Sequence, residues 1–146
     1  MTMLAFVLLS LFTLPAPGWL TNFAEASKTA NAKHQLILLN FSGSDWCGPC
    51  IRLKKEIFEN ELFEDFAAFN LVLVNADFPR SNKNKLSKEQ VKQNETLADR
   101  YNSKGKFPLT LLLKADGKVL KEWDGMPAAG AQQFVHQLKE ACNALQ

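Results

Sequence analysis

Two cysteines three residues apart, Cys47 and Cys50, stand where an apolar run hands over to a helical pattern. Leu36 to Phe41 read as a strand, Ser42-Gly43-Ser44-Asp45 as a loop, and Leu53 and Ile57 as apolar positions of a helix beginning at Cys47. A thiol attacks disulfides, or binds a soft metal, as its thiolate. At a helix start Cys47 faces the unpaired N–H groups of the first turn, whose partial positive charge favours that anion. The expected arrangement has the Cys47 side chain pointing outward and Cys50 one turn further in. Pro49 sets φ early in the helix, where its missing N–H costs little. Such a pair reads as redox or metal chemistry.

The motif Trp46-Cys47-Gly48-Pro49-Cys50, coming after a hydrophobic strand, resembles the active site of the thioredoxin family. The resemblance extends over about Trp19 to Leu145. The extra residue in the loop before Trp46, and a long insert after the next strand, are most similar to secreted bacterial thioredoxin-like proteins and to soluble domains that relay electrons across the inner membrane. It implies an α/β thioredoxin-like fold, with a central mixed sheet of four to five strands flanked by helices. It further implies a redox-active Cys47–Cys50 disulfide and no other cofactor. Cys47 would be the nucleophile and Cys50 the resolving thiol, as exchange through a mixed disulfide requires. Gly48 and Pro49 would shape the turn, while Trp46 would shield the thiols and form part of the docking surface. Pro108 is the second mark: the family's proline here is cis, faces the thiols, and lets the preceding residue, Phe107, pair its backbone with substrate. Phe107 departs from the smaller or β-branched residue usual there.

Two more departures bear on mechanism. Asn40 stands where the family usually has a buried carboxylate that helps deprotonate the deeper cysteine, and Leu73 where thioredoxin has the lysine paired with it. An amide cannot accept that proton, so resolution is expected to be slower or more pH-dependent. Asp45 could substitute by leaning toward Cys50, or be a surface residue of the loop.

Around this centre the elements follow from periodicity. Trp19, Phe23, Ala26 and Ala30 mark one face of a helix over 21–32, capped by Thr21 or Asn22. Leu36 to Phe41, apolar on both faces, is a central strand. Leu62, Phe63, Phe66 and Phe69 continue the Cys47 helix after a break near Asn60, and Leu71 to Ala76 is a parallel strand. Phe78 to Gln90, with Pro79, Arg80, Lys83, Lys85 and Lys88, is a solvated insert or a docking surface for an acidic partner. Val91 to Asn102 is helical. Asp116-Gly117 turns the strand Leu109 to Lys114 into Lys118 to Trp123. A last amphipathic helix runs from Phe134 to Leu145 with Cys142 on its buried stripe. His136 sits beside that stripe at the surface, and His34 lies a strand's length from Cys47, too far to be its base.

The chain of 146 residues, 47% hydrophobic, suffices for one core. A net charge of +2, from 17 basic and 15 acidic residues, points to neither nucleic acid nor an anionic membrane. Three cysteines are too few for a disulfide framework. Residues 1–18, apolar to Leu14 and then Pro15-Ala16-Pro17-Gly18, read as a signal peptide or an uncleaved anchor, leaving a domain over 19–146. The protein is accordingly expected in the periplasm or secreted, as a monomer. Its expected partners are disulfide-containing protein substrates and a membrane or soluble thiol electron donor. The competing class is a thioredoxin-like binding module or a copper(I) chaperone using the Cys pair; zinc lacks a second ligand pair.

Overall fold

The computed structural model describes residues 17–144. Most of the segment read as a signal peptide or anchor, and Leu145, lie outside them. β1 (Trp19–Leu20) and α1 (Phe23–Lys33) are followed by β2 (Leu36–Ser42), α2 (Gly48–Leu53) and a π-helical turn over Lys54–Phe58. Next come α3 (Glu61–Asn70), β3 (Leu71–Asp77), α4 (Lys88–Tyr101), β4 (Leu109–Leu113), β5 (Val119–Asp124) and α5 (Gly130–Asn143). The sheet order is β1-β3-β2-β4-β5. β1, β3 and β2 run parallel, and β4 and β5 are antiparallel to their neighbours. This is the α/β architecture the resemblance implied, with all five strands formed.

β2 is central because both its faces are apolar: Leu38 packs with Leu73 and Leu112 against α2, α3 and α5, while Ile37 and Leu39 face α1 and α4. The aromatic centre of the first layer is Phe134, whose ring lies 4.9 Å from Trp123 and about 6 Å from Phe58 and Phe63. Asn60 ends the π-helical turn and caps α3, accepting the N–H of Leu62 at 3.0 Å. The break near Asn60 is therefore an N-cap.

Several expectations are corrected. Trp19 is not on the α1 face; it pairs with Leu73 in β1, and its ring meets Phe58 at 4.8 Å on the opposite side of the sheet from Ala26 and Ala30. A two-residue strand is too short for its period to be told from a helix. Asn22 caps α1. α4 begins at Lys88, with Ser87 as its cap, so the insert is 78–87. Leu62 and Phe69 are exposed, and only Phe63 and Ala67 of α3 are buried. α5 starts at Gly130, and Cys142, near its end, is half-buried where full burial was expected; desolvation still pushes its thiol pKa up. Gly117, at φ 87°, makes the β4–β5 turn in a conformation that favours glycine. One extra residue, Leu120, bulges β5 opposite Leu112 and Leu113.

Candidate active site

β2 delivers the chain to the loop before α2, and Cys47 is the N-cap of that helix. Its Sγ accepts the N–H of Cys50 at 3.3 Å, and the two cysteines form a disulfide with Cα atoms 5.2 Å apart. Cys47 does not point outward: it is 5% exposed and Cys50 3%. The sulfur turns onto the helix end and so satisfies a donor the helix leaves free. Gly48 and Pro49 are exposed beside it.

Trp46 is fixed from three sides. Its Nε1 donates to the Phe78 carbonyl at 2.7 Å, its ring meets Phe107 edge-on at 5.4 Å, and the Arg80 guanidinium lies 3.8 Å above it. Gly43 packs so closely beneath that a Cβ would fall within 2.7 Å of Nε1. Phe107–Pro108 is a cis peptide at the head of β4. Its approach is held by buried Asn102, whose side chain bridges the Lys106 N–H and carbonyl at 2.8 Å each, and by Lys106, which binds Asp124 and Glu122 at 2.8 and 3.1 Å.

Asp45 does not lean toward Cys50. Its carboxylate accepts the N–H groups of Arg80 and Ser81 at 2.9 Å and the Asn84 amide at 3.0 Å, and these bonds lower its pKa below 3.8. It is a clasp on the insert. With a folded-state pKa below the unfolded one, the clasp is intact above the ordinary carboxylate range and is lost only as pH falls through the depressed value. Asp45→Ala is therefore expected to speed hydrogen exchange at the Arg80 and Ser81 amides by at least about tenfold at neutral pH. Unchanged protection would mean that other contacts hold the insert.

Behind the disulfide, Asn40 is 5% exposed. Its amide donates to Asn75 Oδ1 at 3.1 Å, and its carbonyl oxygen accepts the Thr110 hydroxyl at 3.1 Å. The side chain facing Asn40 across β3 is thus Asn75; Leu73 sits two residues back, opposite Leu38. No motif in the sequence marks Asn75 or Thr110, although each is a polar residue in an apolar strand, at the register of Asn40. Asn40 and Asn75 line a cleft of about 320 Å³ that reaches Cys50. Phe78 and Arg80, which the sequence marks only as part of a solvated insert or docking surface, here meet the Trp46 indole.

A thioredoxin-like domain family model matches residues 23–141. The disulfide bond reductase DsbH of Chlamydia pneumoniae is 36% identical over 120 residues, covering 82% of this chain and 70% of that protein. The chain belongs to the thioredoxin-like family. The solved structure of a DsbH oxidoreductase superposes with a TM-score of 0.82 at 29% identity, covering 97% of this chain and 95% of that one. A thioredoxin from Thermus thermophilus shares the fold, with a TM-score of 0.66 at 15% identity over 88% of each chain. This thioredoxin-like chain, with its Cys47–Cys50 disulfide, is a thiol–disulfide oxidoreductase.

Proposed function

We propose that the protein reduces disulfides in exported proteins, with Cys47 attacking and Cys50 resolving. The observation that carries this is the Cys50 N–H donating to Cys47 Sγ at the start of α2: a thiolate at that position keeps the donor and gains the helix dipole. The Cys47 thiolate attacks one substrate sulfur, the substrate S–S bond breaks, and the departing sulfur leaves as a thiolate. The Cys50 thiolate then attacks Cys47 Sγ, closing the Cys47–Cys50 bond and expelling the second substrate sulfur. Two electrons pass from dithiol to substrate, and a membrane or soluble thiol donor restores the dithiol by the same exchange in reverse. Trp46, Phe107 and Pro108 form the wall against which substrate lies. The reducing direction is supported by Gly48-Pro49 between the cysteines and by the reductase relative. The site outside the cytoplasm is supported by the apolar N-terminal run and the same relative.

Dithiothreitol-driven insulin reduction tests the chemistry. Turnover above the reductant alone is expected; none, with stoichiometric copper(I) retained, would favour a metal chaperone. Equilibration against glutathione tests direction. A couple more reducing than about −230 mV supports a reductant, and one near about −120 mV would make the protein an oxidant.

The amide at position 40 bears on the resolving step. Asn40→Asp places a carboxyl in the cleft at Cys50, where burial raises its pKa and it faces the Asn75 oxygen. Its deprotonation would then supply a base for Cys50. The resolving rate, followed by rapid quench of the mixed disulfide, is expected to gain an ionisation above the ordinary carboxylate range. Stability should fall by about 1–3 kcal/mol. A pH profile identical to that of the wild type would remove position 40 from the mechanism.

A further inference from the structure

The insert between β3 and α4 carries a surface that the exchange chemistry does not use. From Phe78 to Ser87 it contains Arg80, Lys83 and Lys85 and no acidic residue. Arg80, Lys83 and Lys85 are exposed, and none of their side-chain cations lies within 4.0 Å of a carboxylate among the described residues; of Arg80, the Asp45 carboxylate meets only the backbone N–H. Between insert and α4 is a hollow of about 290 Å³, walled by Phe78, Pro79, Leu86 and Val91 and rimmed by Arg80 and Lys85; Asp77 also lines it, with its carboxylate taken up by the Ser44 N–H and hydroxyl. Val91, a large apolar residue, is 39% exposed there.

This surface is tied to the active-site loop at several points. Asp45 holds the Arg80 and Ser81 backbone and Asn84, and Ser44 binds the Asp77 carboxylate at 2.9 Å through its N–H. The Trp46 indole holds Phe78, and Arg80 stacks on the same indole next to Cys47. Like charges in a short solvated loop repel one another, so concentrating them at the rim of an apolar hollow beside a reactive disulfide calls for an anionic ligand that also presents an apolar group. A polypeptide segment meets both demands and brings its own disulfide to Cys47.

We propose that the insert receives an acidic segment of the protein substrate, one bearing a large apolar side chain that enters the hollow while its carboxylates meet Arg80, Lys83 and Lys85. The proposal rests on the reductase reading and adds substrate preference to it. The insert, fixed by Asp45, is thereby a specificity element of the same site.

The test uses three fluorogenic peptide disulfides of equal length, flanked by Asp and Glu, by neutral residues, or by Lys and Arg, each with one Leu. At low ionic strength, kcat/KM for the acidic peptide is expected to exceed that for the neutral one by about tenfold. The ratio should collapse near 1 M salt, where the screening length shrinks to about 3 Å. In the Lys83→Glu/Lys85→Glu variant the ratio should invert in favour of the basic peptide, with the neutral peptide as internal reference. Leu86→Ala is expected to raise KM for the acidic Leu peptide but not for its Leu→Ser counterpart. A wild-type ratio near one at low salt, or a preference that survives charge reversal, overturns the proposal. Failure of the wild type to turn over even the neutral peptide would instead overturn the reductase reading.

Discussion

With the roles proposed above, Cys47→Ser is expected to lose insulin-reducing turnover by at least about a thousandfold, to the level of dithiothreitol alone, and Cys50→Ala to accumulate substrate as a covalent adduct. The asymmetry follows from position. Cys47 is the N-cap and its sulfur meets the helix-end N–H at 3.3 Å. A serine hydroxyl there keeps a polar contact but is not ionised at neutral pH, so no bond to substrate forms. Cys50 lies within the first turn and is 3% exposed. On the proposed assignment, removing its sulfur should leave attack by Cys47 intact and take away only the group that expels the substrate thiol. Mass spectrometry of the two variants after incubation with oxidised insulin reads the outcome: adduct with Cys50→Ala, none with Cys47→Ser. Adduct in the Cys47→Ser protein would reverse the two roles.

Phe134→Ala is expected to cost about 3–5 kcal/mol of stability, the upper range for emptying a core position, and to lower Tm by on the order of 10 °C. Phe134 is 1% exposed and touches three other aromatic rings, those of Phe58, Phe63 and Trp123, which come from the π-helical turn, α3 and β5. It is where the helix that carries the cysteines is pressed onto the sheet through α5. Its loss leaves a void bounded by elements that are themselves anchored and cannot close it. Equilibrium urea unfolding of the oxidised protein measures the difference. A loss below about 1 kcal/mol would show that α5 and α3 collapse into the space and that the aromatic cluster is not the core's keystone.

The reach of the sequence can be seen in particular residues. Continuous apolar runs in β2, β3 and β4 gave the central strands, because a strand covered on both faces has no reason to alternate. Trp46-Cys47-Gly48-Pro49-Cys50 carried the family, and Asp116-Gly117 carried the hairpin. Each of these signals is local: a few consecutive residues decide it. The misplacements share the opposite property. Trp19 continues the spacing of the helix face of Phe23, Ala26 and Ala30, because two residues of strand cannot establish a period; pairing with Leu73 decides it instead. Asp45 lies five residues before Cys50, and that nearness in sequence suggests a base for it, but its partners Arg80, Ser81 and Asn84 come from 35 or more residues away.

What the chain determined by itself was a strand, a tight loop and a helix start with two thiols on it, since these depend on backbone propensity and on spacing within a few residues. What only the tertiary structure decided was the company those thiols keep. Asn75 and Thr110 flank Asn40 because β3 and β4 pair with β2 in one register, and the insert lies against Trp46 because Asp45 and Asp77 bind across the gap between β2 and β3. Hydrogen bonds between distant segments exist only once the sheet has set their separation, so no reading of neighbouring residues contains them.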